Sequence, residues 1–391
     1  MHTKRTLKKF LQRLLLSLVL VVSLGAGLFG YFLYTPDAIE PKLSGTLQTA
    51  TIDVGGVTYT YRLYLPNNLP EHAPLVLVLH GSGQNGAQIR METGFGFDRL
   101  ADAKQFAVLY PSSKSFDWND CSNTGDFQVD GRELDHQSYL NTLVDRLVAT
   151  HQFDRNRVFV TGVSSGGFMS LRLALESASR FRAVAAVSAN VPAAGNFKCK
   201  LPRGEVSANS SNEAASVAGA SSSSGTADTN NTANLGNAAP PDGSAGLDSA
   251  ARTKHATSSV LFINGTADPL VPYQGGQAAL WGMFFDSGEV LSAQASAEFF
   301  ARLNQLQQQT PNTAEQATER AATTTFERRV WQGDSGVQVE LITIPSGGHG
   351  MPQPDWQRPR LLGPSPMSPN GPELIWQFFN RSTQQSAPQQ P

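Results

Sequence analysis

The stretch VFVTGVSSGGFM, from Val158 to Met169, limits the fold more than any other part of the chain. An apolar run ends in a turn that contains three glycines and two adjacent serines, and a helical pattern follows directly. Glycines are needed at such a turn because the end of a buried strand and the start of the next helix pack closely there. The stretch therefore predicts a strand followed by a helix.

Apolar runs of strand length recur along the sequence. They are PLVLVLHG, FAVLYP, RVFVTG, FRAVAAVSA, SSVLFING and QVELITIPSGG. Runs without polar alternation are typical of strands that are buried on both faces of a parallel sheet. Helical patterns lie between them, in LDHQSYLNTLVDRLVATH, SGGFMSLRLALESASRF, SAQASAEFFARLNQL and PELIWQFFNR. This alternation predicts a doubly wound, mostly parallel α/β sheet.

An antiparallel hairpin is predicted ahead of these strands. The segment LQTATIDVGGVTYTYRLYLP contains two alternating runs on either side of Gly55-Gly56, a pair that tolerates the positive φ angles of a tight turn. The hairpin, the parallel sheet and the G-x-S-x-G pattern at Gly162–Gly166 together predict an α/β-hydrolase fold.

The N-terminus is basic and then continuously apolar. Residues 1–13 contain no acidic side chain, and residues 14–34 carry no charge. About 20 apolar residues are enough for a helix to cross the hydrocarbon core of a bilayer. We predict one transmembrane signal-anchor at 14–34, with 1–13 in the cytoplasm and the rest of the chain in the periplasm or outside the cell. Small residues near 25–27 leave open a cleaved signal and a secreted protein.

A linker over residues 35–46 leads to one catalytic domain over residues 47–381. Residues 204–255 contain few large apolar side chains, too few to offset the entropy that ordering would cost. We predict a disordered, low-complexity surface insertion there, with a lid over a pocket as the alternative. Residues 305–324 predict a second polar insertion, and residues 382–391 a disordered tail.

Composition excludes several classes of function. Charged residues make up 16% of the chain and the net charge is -2, so we expect no nucleic-acid partner. The scattered histidines do not pair at the spacing of metal ligands, so we expect no catalytic metal and no cofactor. Cys121 and Cys199 are an even pair in an exported chain, which permits a disulfide; two buried thiols are the alternative.

Three residues at the ends of predicted strands have the chemistry of a catalytic triad. The G-x-S-x-G register makes Ser164 the predicted nucleophile. Asp268 follows the strand in VLFINGTADPLVPY, and His349 follows the strand in LITIPSGGHGMP. The order serine, acid, histidine is the order of an α/β-hydrolase. We expect the histidine to act as the base and the aspartate to hold its ring.

An oxyanion hole is expected from two backbone N–H groups. Ser165 follows the nucleophile at the start of a helix, where the N–H groups and the helix dipole favour negative charge. We expect its hydroxyl to be incidental. The loop after the third strand, within LVLHGSGQNG, should supply the second donor, the N–H of Ser82. His80 in the same loop is interpreted as a structural residue that holds the loop by hydrogen bonds.

The chain resembles the polyhydroxybutyrate depolymerase-like and feruloyl esterase-like group of serine esterases. The resemblance covers about residues 61–381 and rests on LVLHGSGQN, VLYP, DWNDC, DRNRVFVTGVSSGGFMSLRLA, FINGTADPLVPYQGG, ITIPSGGHG and ELIWQFF. It implies the same triad. It also implies that Trp118 in DWNDC lies near the acyl-binding mouth and contacts substrate; the alternative is a buried aromatic residue that anchors its loop.

Two departures from the family pattern concern the substrate. Ser82 stands where the family often has cysteine or threonine, and Gly350-Met351-Pro352 stands where it often has Thr-Trp-Pro. The missing tryptophan removes a stacking group, which puts polymer or aryl specificity in doubt. We therefore expect an extracytoplasmic serine esterase of hydroxyalkanoate or aryl esters. The alternatives are a serine peptidase on the same fold and an inactive, membrane-tethered binding module.

Overall fold

The computed structural model describes residues 2–124, 127–201, 257–280, 286–309, 313–319, 322–334 and 336–384. The helices in these ranges are α1 (His2–Phe32), α2 (Gly86–Glu92), α3 (Gly96–Lys104), α4 (His136–His151), α5 (Ser165–Glu176), α6 (Ala293–Leu303) and α7 (Gly371–Gln384). Short 3-10 helices are η1 (Arg155–Arg157), η2 (Ala194–Asn196) and η3 (Arg360–Leu362).

The strands follow the predicted apolar runs, with additions near both ends of the sheet. They are β1 (Thr46–Val54), β2 (Val57–Leu65), β3 (Leu75–Leu79), β4 (Ala107–Pro111), β5 (Gln128–Val129), β6 (Arg132–Glu133), β7 (Val158–Val163), β8 (Ala183–Val187), β9 (Ser259–Gly265), β10 (Gly276–Gln277), β11 (Glu289–Val290), β12 (Gln307–Gln308), β13 (Thr313–Glu319), β14 (Ala322–Gln332) and β15 (Gln338–Ile344).

One mixed sheet organises the domain. Its order is β1-β2-β4-β3-β7-β8-β9-β15-β14-β12, with β13 paired to β14. The six strands from β4 to β15 in that order run parallel, whereas β2 and β14 join them antiparallel. The predicted hairpin forms β1 and β2, which pair from Thr46↔Leu65 to Val54↔Val57 around the two glycines. This is the predicted α/β-hydrolase architecture.

The sheet is covered by helices on both faces, which explains the lack of polar alternation. In β3, Leu75, Leu77 and Leu79 belong to a core cluster on one face together with residues of α4, α5 and α6. Val76 and Val78 point to the other face, whose cluster includes residues of α2, α3 and α7. Every residue of β3 is buried, so a polar side chain on either face would lose its water.

Polar side chains fix where the helices begin. Asn85 precedes α2 and its side chain accepts from the N–H groups of Ala87 and Gln88. Asp135 caps α4 and Ser292 caps α6 in the same way. Such caps satisfy N–H groups that have no partner inside the helix. The helices that cover the sheet therefore start at positions that the local sequence determines.

The N-terminal helix is long enough to cross a bilayer. Among the described residues it is the one helix that meets this condition, with an apolar span from Phe10 to Phe32 whose mean hydropathy is 2.2 and which is not buried against the protein. At 1.5 Å per residue, its 23 residues extend about 35 Å. The helix starts at His2, inside the predicted basic segment, and ends two residues before the predicted boundary at Tyr34.

Three predicted segments have different outcomes. The insertion at 204–255 lies outside the described residues. The polar segment 305–324 includes β12, β13 and the start of β14, so part of it extends the sheet. The predicted tail at 382–391 begins too early, because α7 continues to Gln384 with Ser382 buried; the remaining residues lie outside the described part.

Candidate active site

The turn between β7 and α5 holds Ser164 in a strained backbone conformation. Its φ is 56° and its ψ is -123°, a region that residues other than glycine rarely adopt. A side chain at Gly162 or Gly166 would come within 2.2 or 2.4 Å of backbone atoms, and one at Gly167 within 2.7 Å of Ala189. The glycines are therefore needed for the close packing of strand and helix that creates the turn.

Asp268 and His349 are brought together by the loops after two adjacent parallel strands, β9 and β15. Nδ1 of His349 lies 2.9 Å from Oδ2 and 3.1 Å from Oδ1 of Asp268. Oδ1 also accepts from the N–H groups of Leu270 and Val271, each at 2.9 Å. Burial would raise the pKa of Asp268, but His349 and these hydrogen bonds outweigh it, and the pKa is lowered.

The loop that carries His349 is held by backbone hydrogen bonds. Its N–H donates to the carbonyl of Leu362 at 2.7 Å, and the N–H of Gly348 donates to the carbonyl of Pro364 at 2.7 Å. The N–H of Gly350 donates to the hydroxyl of Ser188 at 2.7 Å. The imidazole therefore has its orientation set by the carboxylate on one side and by a fixed backbone on the other.

The predicted nucleophile and base open onto one cavity of about 220 Å³. The residues that line it include Ser164, His349, Ser82, Ser165, Phe116 and Leu362. Four of the five predicted catalytic and oxyanion residues are thus on its wall. The fifth, Asp268, lies behind His349, where a residue that orients the histidine should lie.

The backbone N–H groups of the loop after β3 differ in whether they have an acceptor. The N–H of Gly81 donates to Oε1 of Gln84 at 2.9 Å, and that of Gly83 donates to the carbonyl of Phe116 at 2.7 Å. Between them, the N–H of Ser82 has no hydrogen bond within the described part of the chain. With the N–H of Ser165 at the first turn of α5, it forms a candidate oxyanion hole.

His80 lies behind this loop with both ring nitrogens engaged. Nδ1 is 2.8 Å from the carbonyl of Gly81, and Nε2 accepts from the N–H of Ser113 at 3.0 Å. Burial lowers the pKa of His80 to about 4, although the contact with Gly81 opposes this. A neutral ring whose Nε2 already accepts a hydrogen bond fits the predicted structural role.

Trp118 packs in the core against the loop that carries His80 and does not reach the cavity. It is fully buried, and its Nε1 donates to the carbonyl of His80 at 2.9 Å. Phe116 and Asp117, its neighbours in the chain, line the cavity instead. The substrate-binding prediction for Trp118 is therefore contradicted, and the alternative of a loop anchor is correct: the indole fills the core beneath the loop.

The hydroxyl of Ser165 has a role that the sequence did not indicate. It accepts from the backbone N–H of Trp118 at 2.9 Å, in a buried position next to the nucleophile. The expectation of an incidental side chain was wrong, because the hydroxyl joins the turn of Ser164 to the loop of Trp118.

Cys121 and Cys199 form a disulfide with a Cα–Cα distance of 4.9 Å. Cys121 lies three residues after Trp118, so the bond ties the loop of Trp118 to a segment 78 residues further along the chain. Closing a loop of that length stabilises a folded protein by about 4 kcal/mol in the chain-entropy account. Among the described residues, no group of three or more histidine, cysteine, aspartate or glutamate side chains is placed to hold a metal ion.

Three polar residues of the cavity were missed by the sequence analysis. Gln84 donates to Glu92 at 2.6 Å while it accepts from Gly81, so it connects the oxyanion loop to α2. Burial raises the pKa of Glu92, and Arg358, Gln84 and His349 oppose this. Arg358 is 8% exposed and lies against Gly350, where any side chain would collide with its guanidinium. Only Gln84 had a local signal in the sequence, because it follows the histidine-glycine motif closely.

Comparisons with known proteins give the class. The chain matches the family described as Esterase PHB depolymerase over residues 59–218. NocK of Nocardia uniformis subsp. tsuyamanensis, whose name calls it an esterase, is 27% identical over 339 residues, which cover 84% of this chain and 81% of NocK. Poly(3-hydroxyalkanoate) depolymerase C of Paucimonas lemoignei is 32% identical over 144 residues, which cover 35% of this chain and 31% of the depolymerase.

Among solved structures, the Acetyl xylan esterase from Aspergillus awamori has a TM-score of 0.48 and 18% identity, covering 78% of this chain and 94% of that one. The sequence matches and the fold define a carboxylic ester hydrolase. Within that class, the chain resembles the polyhydroxybutyrate depolymerase-like and feruloyl esterase-like serine esterases.

Proposed function

We propose that the chain is an extracytoplasmic serine esterase that cleaves carboxylic esters through an acyl-enzyme. One observation carries the proposal: Ser164, in its strained turn, lines the same cavity as a histidine whose Nδ1 is held by a buried carboxylate. That is the arrangement in which a serine hydroxyl loses its proton to a neutral imidazole as it attacks a carbonyl.

In the first half of the reaction, Oγ of Ser164 attacks the carbonyl carbon of the ester while Nε2 of His349 takes the hydroxyl proton. The negative charge that develops on the carbonyl oxygen is stabilised by the N–H groups of Ser82 and Ser165, which are fixed before substrate binds. Asp268 keeps the proton of the ring on Nδ1 and stabilises the imidazolium. The C–O bond to the alcohol then breaks, and His349 returns the proton to the leaving oxygen.

The second half repeats these roles with water. His349 takes a proton from a water molecule, whose oxygen attacks the acyl carbon, and the same two N–H groups hold the second oxyanion. The bond to Ser164 then breaks, the carboxylic acid leaves, and the serine recovers its proton. Each step uses only residues of this chain and a water molecule, and no cofactor takes part.

The substrate class proposed is a hydroxyalkanoate or aryl ester, in line with the family. A cavity of about 220 Å³ admits a short acyl or aryl group rather than a long polymer chain. The polar wall that contains Gln84, Glu92 and Arg358 favours esters with a second oxygen function over plain hydrocarbon esters. A peptidase on the same fold is the alternative that the test must exclude.

The experiment compares Ser164→Ala with Ser165→Ala in the full chain, assayed on p-nitrophenyl esters from acetate to dodecanoate. We expect the Ser164 variant to lose about 10⁴-fold to 10⁶-fold in kcat, as removal of a nucleophile does. Ser165→Ala keeps its backbone N–H and loses one hydrogen bond, so a loss of about tenfold or less is expected.

Both variants should keep the far-UV spectrum of the wild type. A folded wild type that cleaves no ester would overturn the proposal, and cleavage of an amide substrate at a comparable rate would favour the peptidase. Mass spectrometry of a trapped p-nitrophenyl ester reaction should find the acyl group on the peptide that contains Ser164.

A further inference from the structure

The end of the N-terminal helix is in contact with the loop that supports the catalytic histidine. The guanidinium of Arg360, in η3, lies 4.4 Å from the ring centroid of Tyr31 and donates to the carbonyl of Tyr31 at 3.2 Å. Tyr31 is in the last turn of the apolar span. Leu362 follows two residues later, lines the cavity and accepts from the N–H of His349. Helix, loop and cavity are thus directly connected.

The linker that follows the helix is docked along the domain instead of hanging free. Nε1 of Trp356 donates to the carbonyl of Pro36 at 2.9 Å. Further on, Glu40 forms an ion pair with Arg90 of α2.

The docking continues up to the first strand. Both the N–H and the hydroxyl of Ser44 donate to Asp102, at 2.7 and 2.8 Å. Contacts at three places along the nine residues from Pro36 to Ser44 fix the orientation of the catalytic domain relative to the helix.

The depth of the cavity wall in the membrane follows from these contacts. Tyrosines at the ends of a span lie at the boundary between hydrocarbon and headgroups, which puts Tyr31 at that boundary. Arg360 and Leu362 are two positions apart in the chain, so their Cα atoms are at most about 7 Å apart. Headgroups add about 5–7 Å on each side of the hydrocarbon core. The wall formed by Leu362 therefore lies close to the membrane surface.

The cavity also carries an exposed apolar side chain of the kind that contacts lipid. Phe116 lines it and is 55% exposed. Ile39 of the docked linker is 93% exposed. Outside α1 and the two residues that follow it, the described large apolar side chains exposed to this extent are only these two, and both are near the helix end or the cavity.

We infer that the docked linker and the contact between Arg360 and Tyr31 hold the mouth of the cavity against the bilayer, so that the substrate is an ester dissolved in or lying on the membrane. The partner is a phospholipid surface, and the ester is an acylated amphiphile. This inference rests on the proposed esterase function and adds where the ester substrate is held. It also gives the N-terminal helix α1 a role in bringing the substrate to the cavity.

The test uses the full chain reconstituted into phosphatidylcholine vesicles. Two esters are compared, both with a short acyl group: p-nitrophenyl acetate in the water, and the acetate of a nitrophenol that carries a dodecyl chain, dissolved in the same vesicles. The variant carries a twelve-residue Gly-Ser segment between Tyr34 and Thr35, which keeps the docked linker on the domain and frees the domain from the helix. Such a segment spans about 20 Å on average.

We expect the insertion to lower the rate on the vesicle ester about tenfold, because the local concentration of membrane at the cavity falls as the tether lengthens. The rate on the water-soluble ester should stay within about twofold of the wild type, since the chemistry is untouched. The same segment placed after Gln384 is the matched control and should change neither rate.

A smaller version of the test removes the contact itself. Arg360→Ala should lower the vesicle rate about threefold by loss of the cation–π contact and its hydrogen bond. Lys42→Ala, an exposed cation on the linker, controls for the change of charge and should have no such effect.

The outcomes separate this inference from the proposed function. Equal rates for wild type and insertion variant on the vesicle ester would overturn the inference and leave the esterase standing. An equal fall on both esters would overturn it as well, because the damage would lie in the domain. A folded wild type inert on both esters would remove the two proposals together. The inference would also be overturned if intact-mass measurement of the protein in the membrane fraction showed a chain without α1.

Discussion

His80 and His349 both follow buried parallel strands and both lie among glycines, yet their surroundings are opposite. His80 is fully buried, and a backbone N–H occupies its Nε2. His349 is 6% exposed, lines the cavity, and has its Nδ1 on the carboxylate of Asp268. One ring is fixed as a neutral structural element, and the other has Nε2 left to act as a base.

The difference lies in which ring nitrogen the protein uses. A donor placed on Nε2 removes the lone pair that a general base needs, whereas a carboxylate on Nδ1 fixes the tautomer that leaves this lone pair available. The local sequence around the two histidines, with glycine on the C-terminal side of each, does not distinguish them. Their partners come from distant parts of the chain and make the distinction.

The largest expected effect is the difference in kcat between variants of the two histidines. His349→Gln should reduce kcat about 10⁴-fold to 10⁶-fold with little change in the free energy of unfolding, because the base is lost. His80→Gln should instead lower the free energy of unfolding by about 2–3 kcal/mol, since buried backbone partners lose their bonds. Ester hydrolysis and urea unfolding of both variants measure this. Equal losses of kcat would contradict the separation of roles.

The next effect concerns the carboxylate that distinguishes the two rings. Asp268→Asn should lower kcat about 10³-fold to 10⁴-fold, because the amide no longer favours the tautomer with the proton on Nδ1. Glu71→Gln, an exposed carboxylate elsewhere, is the control and should leave kcat unchanged. A loss below tenfold for the aspartate variant would mean that His349 is oriented by its backbone contacts alone.

A third effect is a dependence of stability on pH. Burial lowers the pKa of His80 to about 4, against about 6.5 in the unfolded chain. Between these values the unfolded chain binds a proton that the folded chain does not, so acid favours unfolding and the stabilising contribution of a neutral His80 is present only above pH 6.5. His136, with a pKa lowered by burial to about 3, acts in the same direction.

Asp98 and Asp120, whose pKa values burial raises to about 6, act in the opposite direction, so the wild-type curve alone is not informative. The useful quantity is the difference in free energy of unfolding between wild type and His80→Gln. It should shrink by about 3 kcal/mol from pH 7 to pH 4. Urea titrations at the two pH values measure it, and a constant difference would show that His80 already titrates normally.

The smallest effect concerns the loop of His80. Gln84→Ala removes the acceptor for the N–H of Gly81 and the link to Glu92, so the oxyanion loop should lose order and kcat should fall about tenfold, with KM little changed. Gln88→Ala in α2, a surface residue that hydrogen-bonds to Asn85, is the matched control. An unchanged kcat in the first variant would show that the loop holds its shape without Gln84.

The central sheet could be predicted because each of its parallel strands is a continuous apolar run. The strand β14 was missed, since Arg328 and Arg329 interrupt its pattern. The structure shows why they are tolerated: Arg328 pairs with Glu340 on the neighbouring strand at 2.5 Å, in a position that only the folded sheet creates. A charge pattern that depends on a strand partner cannot be read from one strand.

The residues of the candidate site also divide into those that could be predicted from the sequence and those that could not. Ser164, Asp268 and His349 follow from the position of each at a strand end and from their order in the chain. Trp118 could not be placed from its sequence context, because an aromatic residue in a loop fits both a pocket wall and a buried anchor; its complete burial decides between them. Arg358 was not found, since its proximity to Gly350 depends on how the loop folds back.

The three glycines around Ser164 have a consequence for how such an enzyme can change over time. A Cβ atom added to any of them would lie 2.7 Å or less from another atom, so we expect almost any substitution there to distort the turn that holds the proposed nucleophile. Phe116 and Leu362 also line the cavity, and the hydrogen bonds that they accept from Gly83 and His349 go to their backbone carbonyls, so those bonds do not depend on the side chain. New ester preferences can therefore arise by changes at the mouth of the cavity, while the chemistry behind it is confined to very few sequences.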